Sequence, residues 1–228
     1  MKNQSPWRAF SYAYLSMLAL AVTLQAIPPL LGELVATFGI SHGEAGALMS
    51  LFALPGIFIS IPGGILTDMY GPKPVGSWAL GITLVGCVMV WLGQSYPVLV
   101  VGRIIQGIGG LTNAVVAPQV LSAWFAKGDL GRAMGLFNTA MPLGTILALN
   151  SFRRLSESFG SWRLPILLTA IFNLLVLAMF VSRHPGLPKT GVEAKREAAD
   201  LKQTLSSIKT VGWPIWLVAI IWMAFNSA

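Results

Sequence analysis

One stretch decides the fold: residues 164–182 read LPILLTAIFNLLVLAMFVS and carry no charged side chain. A helix of roughly 20 apolar residues crosses the hydrocarbon core of a bilayer, which is about 30 Å thick. Six more uncharged runs occur in the chain, at residues 9–32, 45–67, 74–102, 104–126, 133–152 and 210–228. The pattern predicts an all-α membrane protein.

The number of helices follows from the lengths of these runs. Residues 74–102 are too many for one crossing and contain the turn sequence GQSYP at residues 93–97, so we divide the run there. The sequence then predicts six membrane-spanning helices, near residues 11–31, 45–66, 76–93, 98–122, 133–152 and 164–182. A partial seventh helix begins near Trp213.

Composition excludes several classes of protein. Charged residues make up only 10% of the 228 residues, and hydrophobic residues make up 55%. Soluble domains have about 25% charged residues, and disordered chains have low hydrophobicity, so neither class fits. Cys87 is the single cysteine, and the sequence has neither a Cys/His cluster nor a phosphate-binding loop. We therefore expect no metal, no other cofactor and no enzymatic activity.

The basic residues indicate the topology. With the N-terminus inside, 11 of the 15 Lys and Arg residues fall on the cytoplasmic side, as basic loop residues in membrane proteins do. We predict a multi-pass protein of the plasma (inner) membrane with a cytoplasmic N-terminus and no nucleic-acid partner. Residues 1–182 form the predicted bundle, residues 183–210 a cytoplasmic linker, and residues 211–228 the truncated start of a second bundle.

The first six helices contain an internal repeat, offset by about 85–90 residues. Residues 44–52, EAGALMSLF, match residues 129–137, DLGRAMGLF, and residues 66–71, LTDMYG, match residues 155–160, LSESFG. Each copy contains three helices, so the two copies must cross the membrane in opposite directions. Bundles of two inverted three-helix repeats are typical of secondary transporters.

A short loop between helices two and three reads GILTDMYGPK at residues 64–73. It resembles the loop signature of the major facilitator superfamily, Gly-x-Leu-x-Asp-Arg-x-Gly-Arg-Lys, with uncharged residues at two of the basic positions. Gly64 would allow close approach to another helix, and Gly71 would allow a turn with positive φ. The resemblance implies a gating loop in which Asp68, near Lys73, helps hold two halves of a transporter together. Alternatively, Asp68 and Lys73 only cap the turn and anchor the interface.

Helix four contains the segment GRIIQGIGG at residues 102–110, which is similar to the Arg-x-x-Gln-Gly-x-Gly motif of the same superfamily. Arg103 is the only charge well inside a predicted span, and such a charge should face the bundle interior or a water-filled cavity. We expect it to attract an anionic substrate or to tune a proton site, with Gln106 on the same helix face. Alternatively, its side chain extends to the membrane surface. Gly107, Gly109 and Gly110 are expected to be packing positions.

Other polar residues within the spans are candidates for contact with a solute: Gln25, Asn113, Asn138 and Thr139. Each could instead bond to a neighbouring helix. Pro142 is expected to kink helix five. No carboxylate lies in the middle of a predicted span, so a proton relay within this bundle is not indicated.

The resemblance covers nearly the whole chain. It implies the N-terminal six-helix half of a twelve-helix transporter plus the start of helix seven, hence a truncated chain. The implied function is secondary transport of a small polar or anionic solute by alternating access, without a cofactor. The implied partners are membrane lipid and either the missing C-terminal six-helix half or a second copy. Two alternatives stay open: a half-size bundle that transports as a homodimer, and a non-transporting membrane scaffold or fragment.

Overall fold

A computed structural model describes residues 6–183 of the chain. Helices joined by short turns make up this part. Arg183 is the first residue of the predicted linker and ends the last described helix. The rest of the linker and the predicted helix from Trp213 lie outside the described residues.

Nine α-helices and one 3₁₀ turn form six spans in residues 6–183. They are α1 (Pro6–Leu24), the 3₁₀ turn (Pro28–Leu30), α2 (Leu31–Phe38), α3 (His42–Ala53), α4 (Pro55–Tyr70), α5 (Pro72–Leu92), α6 (Tyr96–Trp124), α7 (Lys127–Phe137), α8 (Ala140–Phe159) and α9 (Arg163–Arg183). Span 1 comprises α1, the 3₁₀ turn and α2. Span 2 comprises α3 and α4, and span 5 comprises α7 and α8. Spans 3, 4 and 6 are α5, α6 and α9. The predicted all-α bundle of six spans is confirmed.

Span 5 is the least regular of the six spans. The other five are each long and apolar enough to cross a membrane. In span 5, α7 ends at Phe137 and α8 begins at Ala140, and the last two turns of α8 carry three charged residues. Pro142 has no N–H to donate to the carbonyl of Asn138, four residues earlier, and this missing bond accounts for the break. The helix is therefore interrupted one turn before Pro142, and the kink at this proline stays a prediction.

The helices extend beyond the predicted bounds at most ends. Span 1 covers Pro6–Phe38 and span 2 covers His42–Tyr70, against predictions of 11–31 and 45–66. Apolar runs report the thickness of the hydrocarbon core, whereas helices continue into the polar interface. Caps set the true ends: the Ser41 hydroxyl accepts from the Glu44 N–H, and the Glu44 carboxylate accepts from the Ser41 N–H at 2.8 Å. This capping box starts α3 three residues before the predicted helix.

Span 4 lies at the centre of the bundle. It packs against spans 1, 2 and 3, while span 1 also packs against spans 5 and 6, and span 3 against span 6. The contact of span 1 with span 5 thus corresponds to the contact of span 4 with span 2 in the other copy. This is the pairing expected for two three-span copies related by a two-fold axis in the membrane plane.

The predicted repeat is also visible in the helix ends. Both matched segments, α3 and α7, stop within the bundle, and a second helix follows after one or two residues. Gly71 and Gly160, which close the other matched segments, have φ of 86° and 65°. Glycine adopts such positive φ without steric cost. The two inverted copies therefore share helix breaks and helix ends as well as residues.

Candidate functional site

Span 1 is interrupted inside the bundle, and the interruption leaves backbone carbonyls without their usual donors. α1 ends at Leu24 and the 3₁₀ turn begins at Pro28. Pro28 and Pro29 have no N–H to donate to the carbonyls of Leu24 and Gln25. The last carbonyls of any helix lack partners within that helix. In a membrane interior they need donors from another span.

Arg103 of span 4 supplies these donors. Its Nη1 donates to the Thr23 carbonyl at 3.0 Å and its Nη2 to the Leu24 carbonyl at 3.2 Å, both on span 1. Its Nε donates to the Leu48 carbonyl of span 2 at 2.9 Å. The side chain is 0% exposed. The expectation that Arg103 faces the bundle interior is confirmed, and its side chain does not extend to the membrane surface.

The charge of Arg103 is stabilised by dipoles and by an aromatic ring. The C-terminal end of α1 carries a partial negative charge from its aligned peptides, and the guanidinium lies against it. The Phe52 ring centroid is 4.6 Å from Arg103 Cζ, a cation–π contact. Within residues 6–183 no carboxylate pairs with Arg103, the ion pair found there being Arg153–Glu157 at the surface. The positive charge is therefore uncompensated by a buried anion.

Gln106 and Asn173 extend the polar site across the bundle. Gln106 Oε1 accepts from Arg103 Nη1 at 2.9 Å, so the two residues of the sequence motif do lie together. Asn173 of span 6 donates through Nδ2 to Thr23 Oγ1 at 2.9 Å and to the Thr169 carbonyl at 2.9 Å. The side chains of the five residues in this network are buried: Arg103, Gln106, Thr23, Thr169 and Asn173. The network joins spans 1, 4 and 6, and Arg103 joins span 2 to it.

The other predicted contact residues do not bond to this network. Gln25 is half-buried in the interruption of span 1. Asn113 is 1% exposed, and neither polar atom of its side chain has a hydrogen-bond partner among the described residues. Asn138 and Thr139 are exposed in the break of span 5. There, Thr139 Oγ1 lies 3.1 Å from the hydroxyl of Tyr14 on span 1.

The glycines of the Arg103 motif are packing positions, as predicted. A Cβ at Gly107 would lie 2.1 Å from the Phe52 carbonyl oxygen of span 2, and one at Gly109 would lie 2.3 Å from the Ala79 carbonyl oxygen of span 3. Both distances are far below van der Waals contact. Spans 2 and 3 therefore press directly on the backbone of span 4.

The residues of the predicted gating loop lie together at one end of the bundle, apart from Arg103. Gly71 has a φ of 86°, so the predicted positive-φ turn is confirmed. A Cβ at Gly64 would lie 3.9 Å from Val115 Cγ1, an ordinary contact, so the predicted close helix approach does not occur there within residues 6–183. Asp68 is exposed and Lys73 is half-buried. The loop has the turn geometry of the motif and presents the Asp68 carboxylate to the surroundings.

Comparison with known families settles the class of the protein. A family model described as Major Facilitator Superfamily matches residues 13–228. The chain belongs to the major facilitator superfamily. This membership confirms the resemblance carried by the two motifs. It also confirms that the chain is an integral membrane protein and not an enzyme.

Similar proteins within the superfamily include transporters named for nitrate and for xylose. The chain is 30% identical over 149 residues to "Putative transporter AraJ" of Escherichia coli, which covers 65% of this chain and 37% of that protein. It is 23% identical over 189 residues to "Probable nitrate transporter NarT" of Staphylococcus epidermidis, covering 83% of this chain and 48% of that protein. The solved structure of the proton:xylose symporter XylE superposes with a TM-score of 0.66 at 18% identity, over 92% of this chain and 52% of that chain. The chain thus spans between 37% and 52% of the length of these proteins.

Some parts of the site in this superfamily member were missed from the sequence. Asn173 is the only amide in the apolar run 164–182, and its isolation among apolar residues was a usable signal.

No sequence signal pointed to the hydrogen bond between Ser156 and Glu33, in which the Ser156 hydroxyl donates to the Glu33 carboxylate. This pair lines a cavity of about 430 Å³ between spans 1 and 5, at the end of the bundle away from the gating loop. Arg153 and Glu157, paired at 2.8 Å, complete its charged wall.

Proposed function

We propose that this chain forms one bundle of a secondary transporter, which moves a small polar or anionic solute by alternating access. Superfamily membership, the inverted repeat and the names of the relatives support this function. Discontinuous helices in inverted-repeat transporters lie beside the solute path, and spans 1, 2 and 5 are discontinuous here. A second bundle, either a C-terminal half or a second copy, completes the path. The N-terminus lies in the cytoplasm and the membrane is the plasma membrane.

The buried charge of Arg103 is the observation that carries the preference for an anion. At roughly 10 Å, with an effective dielectric constant of about 20, a guanidinium attracts a monovalent anion by about 1.7 kcal/mol. That energy corresponds to more than tenfold in affinity over a neutral solute. Four of its five N–H groups already have protein partners. Arg103 therefore acts mainly through its field and as a positioning residue for span 1.

Polar groups at the break of span 5 form the proposed solute contacts. Asn138 and Thr139 are exposed at the level of the break, and Tyr14 faces them from span 1. Exposed polar side chains within a span face water or protein rather than lipid. The solute path therefore runs along spans 1 and 5. Gln25 lies on the same path at the interruption of span 1.

Uptake into proteoliposomes tests the solute class. The protein is purified with its complete second bundle, and labelled nitrate and labelled xylose are compared. We expect nitrate to accumulate and a tenfold excess of xylose to leave its uptake unchanged. Uptake of xylose without uptake of nitrate or another small anion would overturn the anion preference. Transport by the 228-residue chain alone, together with a dimeric mass in detergent, would identify a second copy as the completing bundle.

The gating role of Asp68 gives a separate prediction. Asp68→Asn is expected to lower the uptake rate about tenfold, because it removes the charge that binds the second bundle at this end. The melting temperature of the purified protein should stay the same, since Asp68 is exposed. Asp129→Asn is the matched control: Asp129 is also exposed and lies in the first turn of the matched helix α7, at the same end of the bundle. Equal uptake by the two variants would show that Asp68 has no special role.

A further inference from the structure

The interruption of span 1 separates a fixed helix from a less firmly held one. Arg103 holds the end of α1 on span 4 through the Leu24 carbonyl. Pro28 and Pro29 cannot donate to the carbonyls of Leu24 and Gln25, so the helical hydrogen-bond ladder stops before α2 begins. Helices bend where this ladder is broken. The short helix α2 can therefore turn as a unit relative to α1.

Span 5 packs closely on α1 but leaves a cavity beside α2. A Cβ at Gly144 of α8 would lie 2.5 Å from Ala21 Cβ and 3.1 Å from the Leu18 carbonyl oxygen, both on α1. The two helices therefore touch backbone to backbone on the α1 side of the interruption. Beyond the interruption, the cavity of about 430 Å³ lies between α2 and the end of α8.

A hydrogen bond from Ser156 to Glu33 ties α2 to α8 across this cavity. Ser156 is 1% exposed, and its hydroxyl donates to the Glu33 carboxylate. A hydrogen bond with a charged partner is about twice as strong as a neutral one. At its other end, α2 packs through the Phe38 ring on the Trp162 ring, 5.7 Å between centroids. That contact is apolar, so the bond to Ser156 is the directed contact that fixes α2 on span 5.

We propose that the hydrogen bond between Glu33 and Ser156 is a latch, which holds α2 closed over the end of the solute path away from the gating loop. Breaking the bond frees α2 to swing about the interruption of span 1 and opens this end. Glu33 and Ser156 are thus positioning residues that set how long the end stays closed. The role in the transport cycle rests on the function proposed above, whereas the tie between α2 and span 5 does not.

The reactivity of a cysteine at position 34 tests the latch. Leu34 is 0% exposed on α2, next to Glu33, and a smaller cysteine fits in its place. Leu34→Cys is made in a Cys87→Ala background of the protein with its complete second bundle, and an impermeant thiol reagent is applied. Adding Ser156→Ala should raise the labelling rate about tenfold, the population change expected for the loss of one hydrogen bond to a charged group. An unchanged rate would overturn the proposal.

A neighbouring carboxylate and a double variant provide the controls. Glu157→Gln breaks the exposed pair with Arg153 on the same helix and leaves Ser156 in place, so its labelling rate should equal that of the parent. Glu33→Ala should act like Ser156→Ala, and the double variant should be labelled no faster than either single variant. Equal acceleration by Glu157→Gln, or additive effects of the two latch variants, would overturn the latch.

Two further readouts separate the latch from a looser fold and from the transport function. With native Leu34 and Cys87 retained, labelling of the buried Cys87 should be unchanged by Ser156→Ala. Faster labelling of Cys87 would show that the whole bundle has loosened, and would overturn the latch. Uptake at saturating solute should fall about tenfold in Ser156→Ala, because each cycle requires closure of this end. Normal uptake with faster labelling would overturn the role in transport, whereas a parent protein without uptake would contradict the proposed function instead.

Discussion

Arg103→Met is expected to lower the free energy of unfolding by about 3 kcal/mol. Methionine replaces the aliphatic part of the side chain but leaves the Leu24 carbonyl and Gln106 Oε1 without their donor. Each buried polar atom left unpaired costs about 1–3 kcal/mol. The variant no longer buries a charge, and the desolvation energy saved in this way offsets part of the total. A thermal melt of the detergent-purified protein should show a fall of about 6–12 °C. Anion uptake should be lost.

Arg103→Lys separates the charge from the geometry of the guanidinium. Lysine keeps the positive charge but has a single ammonium in place of the planar fork. It cannot reach spans 1 and 2 in the way that Arg103 does, so stability should be intermediate. A preference for anions should remain, because the field remains. If Arg103→Met is as stable as the wild type and takes up anions equally well, both roles assigned to Arg103 are wrong.

Gly107→Ala is expected to destabilise the bundle by about 2–3 kcal/mol, the range for overpacking in a tight core. The added Cβ would lie 2.1 Å from the Phe52 carbonyl oxygen and 3.2 Å from Phe52 Cα, so backbone rather than a flexible side chain must move. Separation of spans 2 and 4 would also pull the Leu48 carbonyl away from Arg103. Uptake should fall together with stability, and both are measured on the same purified variant.

Two glycines in the same bundle serve as matched controls for Gly107. A Cβ at Gly81 would meet nothing within 4 Å, and one at Gly64 would meet Val115 at 3.9 Å. Both lie within helices, where alanine is favoured over glycine by about 0.5–1 kcal/mol. Gly81→Ala and Gly64→Ala should therefore be neutral or slightly stabilising. A Gly107→Ala variant that melts like these two would contradict the direct packing of span 2 on span 4.

The fold could be predicted from the sequence because the bilayer permits few solutions. Uncharged runs such as residues 164–182 must form helices, and the charge pattern and repeat then fix their number and order. Helix ends were less accessible, because caps such as Ser41 and Glu44 act beyond the apolar core. Pro142 was singled out from the sequence, and the break at Asn138 lies within one turn of it because the effect of a proline on a helix is local.

The partners of the site residues could not be predicted from the sequence. That Arg103 faces inward follows from the cost of exposing its charge to lipid. Its acceptors are backbone carbonyls of Thr23 and Leu24, which become available only because span 1 is interrupted before Pro28. Backbone acceptors have no signature in a side-chain pattern. Gly64 failed for a related reason: which glycine makes the close approach depends on the rotation of span 2 against span 4.

Access to position 139 from the two sides of the membrane tests the central claim, that spans 1 and 5 line an alternating path. Thr139→Cys is made in a Cys87→Ala background, so that it carries the single thiol. Trp78→Cys in the same background is the control, because the Trp78 side chain is 75% exposed on the lipid-facing side of span 3. A membrane-impermeant thiol reagent is applied to right-side-out and inside-out vesicles. Alternating access predicts labelling of Cys at 139 from both sides, slowed by the transported anion, and little labelling of the control. Labelling from one side only, or at the rate of the control, would contradict the account.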